Sequence, residues 1–247
     1  MRSPLGLGDA YELTVMITIR SAADRGVTRL PWLDSRHTFS FGAYMDAEHH
    51  QFRALRVIND DWVAPGGGFD THGHRDMEIL TYVLSGHLEH RDSMGNGEVI
   101  RPGEWQAMTA GRGIQHSEFN PSLVEPVHLL QIWILPDRKG HTPGYQQRLF
   151  AANETAEEWR LVASLDGADG SLVIHQDARL YLAKPGTGQR VRHKLAAGRG
   201  AFLHIANGSV TVNGHALTAG DGIAVEDEPV IEVVGDTGGD VLLFDLA

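Results

Sequence analysis

Short segments of alternating apolar and polar residues recur along the chain and predict β-strands. Residues 32–42 alternate aromatic and polar side chains, and residues 53–58 repeat the same two-residue period. Successive side chains in a strand point to opposite faces, so this period predicts strands with one buried face. Residues 79–84 and 127–135 are almost continuously apolar, which predicts two further strands.

Turn signals separate these segments at short intervals. Residues 59–61 (Asn-Asp-Asp), residues 65–68 (Pro-Gly-Gly-Gly) and residues 85–86 (Ser-Gly) are three of them. The glycines of the second turn also lack a Cβ, so we expect them to let the backbone approach a functional site closely. Strands this short and evenly spaced are typical of a sandwich or small barrel, so the predicted fold class is all-β.

An internal repeat indicates two barrels of one architecture. Residues 203–212 resemble residues 82–89, and residues 219–225 resemble residues 102–108. We therefore predict a first barrel over residues 16–140, a linker over residues 141–158 and a second barrel over residues 159–247. Residues 1–13 carry no clear pattern and residues 16–20 read as a more natural beginning, so we interpret the leader as an artefact of the start site.

Composition narrows the classes of partner. The chain has 247 residues, of which 42% are hydrophobic, enough for one large or two small cores. It carries 21 basic and 32 acidic residues, and a net charge of −11 disfavours nonspecific binding to nucleic acid or to an acidic membrane. No cysteine is present, so a metal would be held by nitrogen and oxygen. With no membrane-spanning apolar run and no signal-peptide pattern, we predict a cytoplasmic protein.

Two pairs of potential metal ligands carry the strongest chemical signal. His72 and His74 are two residues apart, and so are His116 and Glu118. On a strand each pair points to one face, so two such strands inside a barrel would bring three imidazoles and one carboxylate together. The ligand types and their spacing predict a metal site with room for substrate.

Glu78 is the main alternative for the fourth ligand. By period it shares the face of His72 and His74, so spacing alone does not exclude it. Its alternative role is a buried carboxylate that supports the ligands. In the second half, His193 is followed two residues later by Leu195, and the second barrel is predicted to be free of metal.

Other side chains are weaker candidates. His87 and His90 follow a turn and have no predicted role, while His141 in the predicted linker is a candidate for the mouth of the pocket. Four further side chains are candidate pocket walls, although ordinary barrel core explains each of them better: Trp105, Met108, Phe119 and Trp133.

Several stretches resemble the pirin family of bicupins, proteins with two cupin barrels of the jelly-roll type. They run in the family's order through most of the first half and cover residues 55–61, 68–74, 77–86, 110–118 and 130–134. The second half is similar only to a degenerate cupin. The resemblance implies a metal in the N-terminal barrel alone, with ligands at His72, His74, His116 and Glu118. In pirins the second motif supplies the glutamate ligand, which favours Glu118 over Glu78.

One position departs from the family pattern. Gly73 stands where many pirins carry proline, and we expect this change to leave the ligands intact while loosening the local backbone.

Bacterial pirins of this kind resemble quercetin 2,3-dioxygenases, which open a flavonol ring with O2 and release carbon monoxide. The resemblance therefore implies a small aromatic substrate such as a flavonol, O2 as co-substrate, and one divalent ion of Fe, Mn, Ni, Cu or Zn. In this hypothesis Glu118 is also the catalytic residue, because it can accept the proton of a substrate hydroxyl whose pKa the metal lowers.

Other pirins act as metal-dependent regulators that bind partner proteins. That implies an alternative for this chain, a binding protein without turnover, and a zinc hydrolase or isomerase is a weaker third hypothesis.

Overall fold

The computed structural model describes residues 16–150 and 158–247, and most of these residues lie in β-strands. The strands before residue 150 are β1 (Met16–Arg20), β2 (Gly26–Leu30), β3 (Leu33–His37), β4 (Leu55–Val63), β5 (Gly68–His74), β6 (Glu78–Ser85), β7 (Leu88–Asp92), β8 (Gly97–Ile100), β9 (Glu104–Thr109), β10 (Ile114–Phe119), β11 (Val127–Ile134) and β12 (Gly144–Leu149). The later strands are β13 (Arg160–Ser164), β14 (Leu172–Val173), β15 (Ala178–Ala183), β16 (Arg190–Lys194), β17 (Gly200–Ile205), β18 (Ser209–Val212), β19 (His215–Thr218), β20 (Gly222–Glu226), β21 (Val230–Gly238) and β22 (Val241–Leu246). Short 3-10 helices lie at Ala22–Asp24 and Ala168–Gly170.

Two antiparallel sheets form the first barrel. The larger has the strand order β12-β9-β6-β11-β4-β3-β2, and the smaller has the order β5-β10-β7-β8. Leu33 and Val63 of the larger sheet pack in one apolar cluster with Leu88 of the smaller sheet. The two sheets therefore face each other across a common interior.

The second barrel repeats this plan. Its larger sheet has the order β1-β20-β17-β22-β15-β13-β14, and its smaller sheet has the order β16-β21-β18-β19. Val210, Ile223 and Val233 are fully buried in its interior. The predicted all-β fold with two barrels is confirmed.

Two strands do not follow the predicted segments. β1 falls in the segment assigned to the first barrel, yet it pairs with β20 of the second barrel along its whole length. β12 falls in the predicted linker, yet it pairs with β9 of the first barrel. Local sequence pattern does not reveal either pairing. β12 has no apolar alternation, and β1 pairs with a strand about 200 residues later in the chain.

The largest apolar cluster is shared by the two barrels. Leu80 and Leu130, from β6 and β11, are fully buried in it together with Leu180 and Phe244, from β15 and β22. The larger sheets of the two barrels are therefore packed against each other through their outer faces.

Residues 59–61 lie in the middle of β4, so the prediction of a turn there is wrong. Asn59, Asp60 and Asp61 are all at least 96% buried. One Asp60 oxygen lies 3.1 Å from Arg25 Nη1 and the other lies 2.6 Å from His128 Nε2. Such partners stabilise polar side chains at buried strand positions, against the turn preference of Asn and Asp.

No helix in the described ranges is long and apolar enough to cross a membrane. The cytoplasmic location stays a prediction. The interpretation of residues 1–13 concerns a segment outside the described residues.

His204 on β17 makes stability depend on pH. It is fully buried, and neither ring nitrogen has a hydrogen-bond partner among the described residues. Burial lowers the pKa of His204 to about 4 from an ordinary value of 6.5. Between these pH values the unfolded chain binds a proton that the folded chain does not, so this contribution to stability is lost as the pH falls.

We therefore predict that His204→Leu lessens the acid sensitivity of folding. As the pH falls from about 6.5 towards 4, the wild type should lose stability relative to the variant by up to about 1.4 kcal/mol per pH unit. Urea unfolding of both proteins at several pH values measures this difference. His50→Leu, at an exposed site, is the control and should show no such trend. A pH-independent difference for His204→Leu would contradict the prediction.

Candidate metal centre

β5 and β10 pair antiparallel and carry the two predicted ligand pairs. His116 lies directly opposite His72, and a register shift follows between His116 and Glu118. The His72 and His116 Nε2 atoms are 3.1 Å apart. One nitrogen from each of His72, His74 and His116 lies within 4.8 Å of the others. The structure thus brings the three predicted imidazoles together.

Glu118 lies beside this group in a second, overlapping cluster. Ligand atoms of Glu118, His116 and His90 lie within 4.8 Å of one another, so His116 belongs to both clusters. Glu118 is 2% exposed, and Gln131 Nε2 donates a hydrogen bond of 2.8 Å to its Oε2. Thr81 Oγ1 lies 3.5 Å from the other carboxylate oxygen. One oxygen is therefore firmly held and the other is only weakly engaged.

His90 is the residue that the sequence analysis missed. It lies on β7 directly opposite Glu118, is fully buried, and stacks on the ring of Tyr145 at 4.8 Å. Its Nε2 is 3.4 Å from Asp92 Oδ2, and its Nδ1 has no partner in the described part of the chain. The signal was present, because His90 and Asp92 have the same two-residue spacing as the predicted ligand pairs.

Glu78 does not share a strand with the histidines, contrary to expectation. β5 ends at His74 and β6 begins at Glu78, after Asp76 adopts a positive φ of 52°. Thr109 Oγ1 donates a hydrogen bond of 2.8 Å to one Glu78 oxygen, and His175 Nδ1 lies 3.3 Å from the other. Within the described residues, Glu78 belongs to neither ligand cluster.

The imidazoles are suited to bind a cation. The pKa of His74 is lowered to about 4, mainly by burial and also by the neighbouring His116 and His72. The pKa of His116 is lowered to about 3, mainly by burial and also by His72 and His90. Both rings are therefore neutral at pH 7 and offer nitrogen lone pairs. Two nitrogens bound to one ion at about 2.1 Å would lie roughly 3 Å apart, in agreement with the His72–His116 spacing. The cluster is compatible with a divalent metal ion.

A cavity of about 560 Å³ opens onto these side chains. Trp133, a candidate wall residue for which ordinary core was the favoured interpretation, lines the cavity with its ring edge-on to His74 at 4.9 Å. Trp105 and Met108 are fully buried core residues instead. The larger apolar side chains that line the cavity are Trp32, Leu33, Phe41, Phe69 and Trp133.

Two other candidates do not line this cavity. Phe119 packs against Gly68 on the neighbouring strand. The His141 ring is tilted against His175 with centroids 4.0 Å apart, and its Nε2 lies 2.6 Å from Asp137 Oδ1, away from the cavity lining.

Gly68 permits the close approach of β5 to β10. A Cβ at this position would lie 2.4 Å from the Glu118 carbonyl oxygen and 2.6 Å from Phe119 Cα. Backbone atoms cannot move aside without displacing the strand that carries Glu118. Gly68, one of the glycines of the predicted turn, therefore lets the backbone approach the strand that carries Glu118.

The fold and this cluster define a bicupin with a histidine- and glutamate-lined site in its first barrel. The family model described as Pirin matches residues 19–134, and the model of the quercetinase C-terminal cupin domain matches residues 161–246. The chain belongs to the pirin family.

Relatives extend this similarity over nearly the whole chain. A protein of Escherichia coli strain K12 named quercetin 2,3-dioxygenase is 50% identical over 231 residues, which are 94% of this chain and 99% of that protein. A pirin-like protein of Caulobacter vibrioides is 38% identical over 218 residues, 87% of this chain and 93% of that protein. The crystal structure of the bacterial pirin YhhW from Escherichia coli in complex with nickel(II) has a TM-score of 0.90 and 49% identity, and the match covers 94% of this chain and 99% of that one.

We predict that Gly68→Ala weakens metal binding because the new methyl group displaces β10 at Glu118. The affinity for Ni²⁺ should fall by about tenfold or more. Competition against a chelator, on protein freed of metal and reloaded, measures the change.

Gly73→Ala is the matched control on the same strand. A Cβ there would lie 3.7 Å from its nearest neighbour, the Ile114 carbonyl oxygen, so the affinity should stay within about twofold. Equal losses of Ni²⁺ affinity in the two variants would show that the close approach at Gly68 is not the reason for the weaker metal binding.

Proposed function

We propose that this pirin is a metal-dependent dioxygenase of the flavonol type, which opens the ring of a quercetin-like substrate with O2. The observation that carries the proposal is the convergence of neutral imidazoles and a buried carboxylate on an aromatic-walled cavity. The name of the Escherichia coli relative supports this choice of reaction.

The proposed metal ligands are His72, His74, His116 and Glu118. The three imidazoles already lie at ligand spacing, and a Glu118 carboxylate oxygen lies within 4.8 Å of a ring nitrogen of His116. Nitrogen and oxygen ligands fit several divalent ions, and the nickel(II) complex of the Escherichia coli pirin favours nickel among Fe, Mn, Ni, Cu and Zn. The structural role of Gly73, and the absence of metal from the second barrel, stay predictions.

A bound divalent ion would supply a Lewis acid that lowers the pKa of a substrate hydroxyl. Glu118 then accepts the hydroxyl proton through its weakly engaged oxygen, while Gln131 holds the other oxygen in place. Trp133 and the facing aromatic side chains bind the flat substrate and exclude water from it.

The first test of the proposal is His116→Ala, because His116 belongs to both ligand clusters. The variant should lose about tenfold or more in metal affinity and should no longer consume O2 or bleach quercetin. Elemental analysis and O2 uptake measure the two effects. His87→Ala, at an exposed site in the same barrel, should retain both. If the wild type turns over no flavonol with any of the five metals, the proposed reaction is wrong and the regulatory alternative is favoured.

The second test concerns the proton acceptor. In Glu118→Gln the side chain keeps its size but loses basicity, so kcat should fall by about 10²-fold or more. Quercetin affinity should change little, since the cavity walls are intact. Metal content is measured on the same sample, which separates loss of metal from loss of proton transfer. Full turnover in a metal-loaded variant would exclude Glu118 as the base.

A further inference from the structure

Asp61 is a buried carboxyl group at the cavity without a full set of partners. It lies in the middle of β4, is 3% exposed, and lines the same cavity as the histidine cluster. Its Oδ1 has no hydrogen-bond partner among the described residues. Leaving a buried polar atom unpaired is costly, so a partner at this position would be strongly favoured.

Ser35, directly opposite on β3, is a hydrogen-bond partner of Asp61, but other polar side chains of this face are engaged elsewhere. His37 lies between Asn59 and Thr28, with its Nδ1 2.7 Å from Asn59 Oδ1 and its Nε2 2.8 Å from Thr28 Oγ1. Gln131 donates to Glu118, and Thr81 donates to Gln131 at 3.0 Å. Along this polar inner face of the larger sheet, Asp61 thus lines the cavity with one oxygen that has no hydrogen-bond partner in the described part of the chain.

The environment favours a neutral partner. The pKa of Asp61 is raised to about 7, mainly by burial and also by the charges of Asp60 and Glu118, against a hydrogen bond from Ser35. The group is therefore present both as acid and as carboxylate near pH 7. A hydroxyl can both donate and accept a hydrogen bond, so it pairs with either form. A cation would lose its hydration on entering this buried position, which disfavours it.

We propose that Asp61 binds a second hydroxyl group of the substrate and thereby selects polyhydroxylated aromatic molecules. The first hydroxyl lies at the histidine–glutamate cluster, and the flat ring lies between the aromatic walls. This inference rests on the proposed function, because it assumes that the cavity is the substrate site. Asp61 is a specificity-determining residue in this arrangement and takes no part in ring opening.

The test compares quercetin with 3-hydroxyflavone, which keeps the hydroxyl next to the carbonyl and lacks all the others. Dissociation constants are measured without O2, by quenching of tryptophan fluorescence in the nickel-loaded protein. The wild type should bind quercetin about tenfold or more tightly than 3-hydroxyflavone. In Asp61→Leu, quercetin binding should weaken by about 10- to 100-fold, while 3-hydroxyflavone binding stays within about twofold.

Two further variants distinguish binding from structural damage. Asp61→Asn keeps a hydrogen-bonding group and should retain most of the preference for quercetin. Asp34→Leu, on the adjacent strand β3 and outside the lining of this cavity, should leave both affinities unchanged. Metal content and the thermal melt of each variant report whether the barrel is intact.

The outcomes separate this inference from the proposed reaction. A preference that is lost in Asp61→Leu, together with no turnover of either compound, would support the role of Asp61 and exclude the dioxygenase. Flavonol turnover by the wild type, together with an unchanged preference for quercetin in Asp61→Leu, would support the dioxygenase and exclude the role of Asp61. Equal weakening of both ligands, or a wild type without preference, would also overturn the inference.

Discussion

The antiparallel pairing of β5 with β10 is the constraint on which the site depends. It places His116 opposite His72, and the two-residue period of β5 then adds His74. A register shift after His116 pairs Glu118 with Phe69 of β5, while the regular pairing of β10 with β7 places Glu118 opposite His90. A slip of one residue would point every one of these side chains to the opposite face of the sheet. The register is therefore as necessary to the site as the residues themselves.

Much of this arrangement could be predicted from sequence, because it follows from local geometry. The spacing of His72 with His74, and of His116 with Glu118, is enough to predict two same-face pairs. What spacing does not contain is where a strand ends. Glu78 has the right period but follows a break between strands at residues 75–77, so it lies on a strand of the other sheet with partners of its own.

The other errors of the sequence-based prediction have one physical cause. Polar residues change their structural preference when distant parts of the chain provide them with partners. Residues 59–61 have the composition of a turn, yet Arg25, His37 and His128 stabilise two of them inside β4. His90 looked like a residue after a turn because its neighbours, Glu118 and Tyr145, come from strands that are later in sequence. β12 has too few apolar residues to resemble a strand, and only pairing with β9 makes it one.

The shared core gives the second barrel a part in the site. In the larger sheet of the first barrel, Thr81 and Gln131 point to the polar interior, while the adjacent Leu80 and Leu130 point outward into the core shared with Leu180 and Phe244. Strands β6 and β11 are thus buried on both faces, and their apolar face contributes the burial energy that a polar inner face lacks. The second barrel therefore supports the site from outside the first, since removing it would expose the strands that hold Gln131 against Glu118. The polar inner face, including the unpaired Asp61, is therefore a feature that a single barrel of this size would have difficulty stabilising.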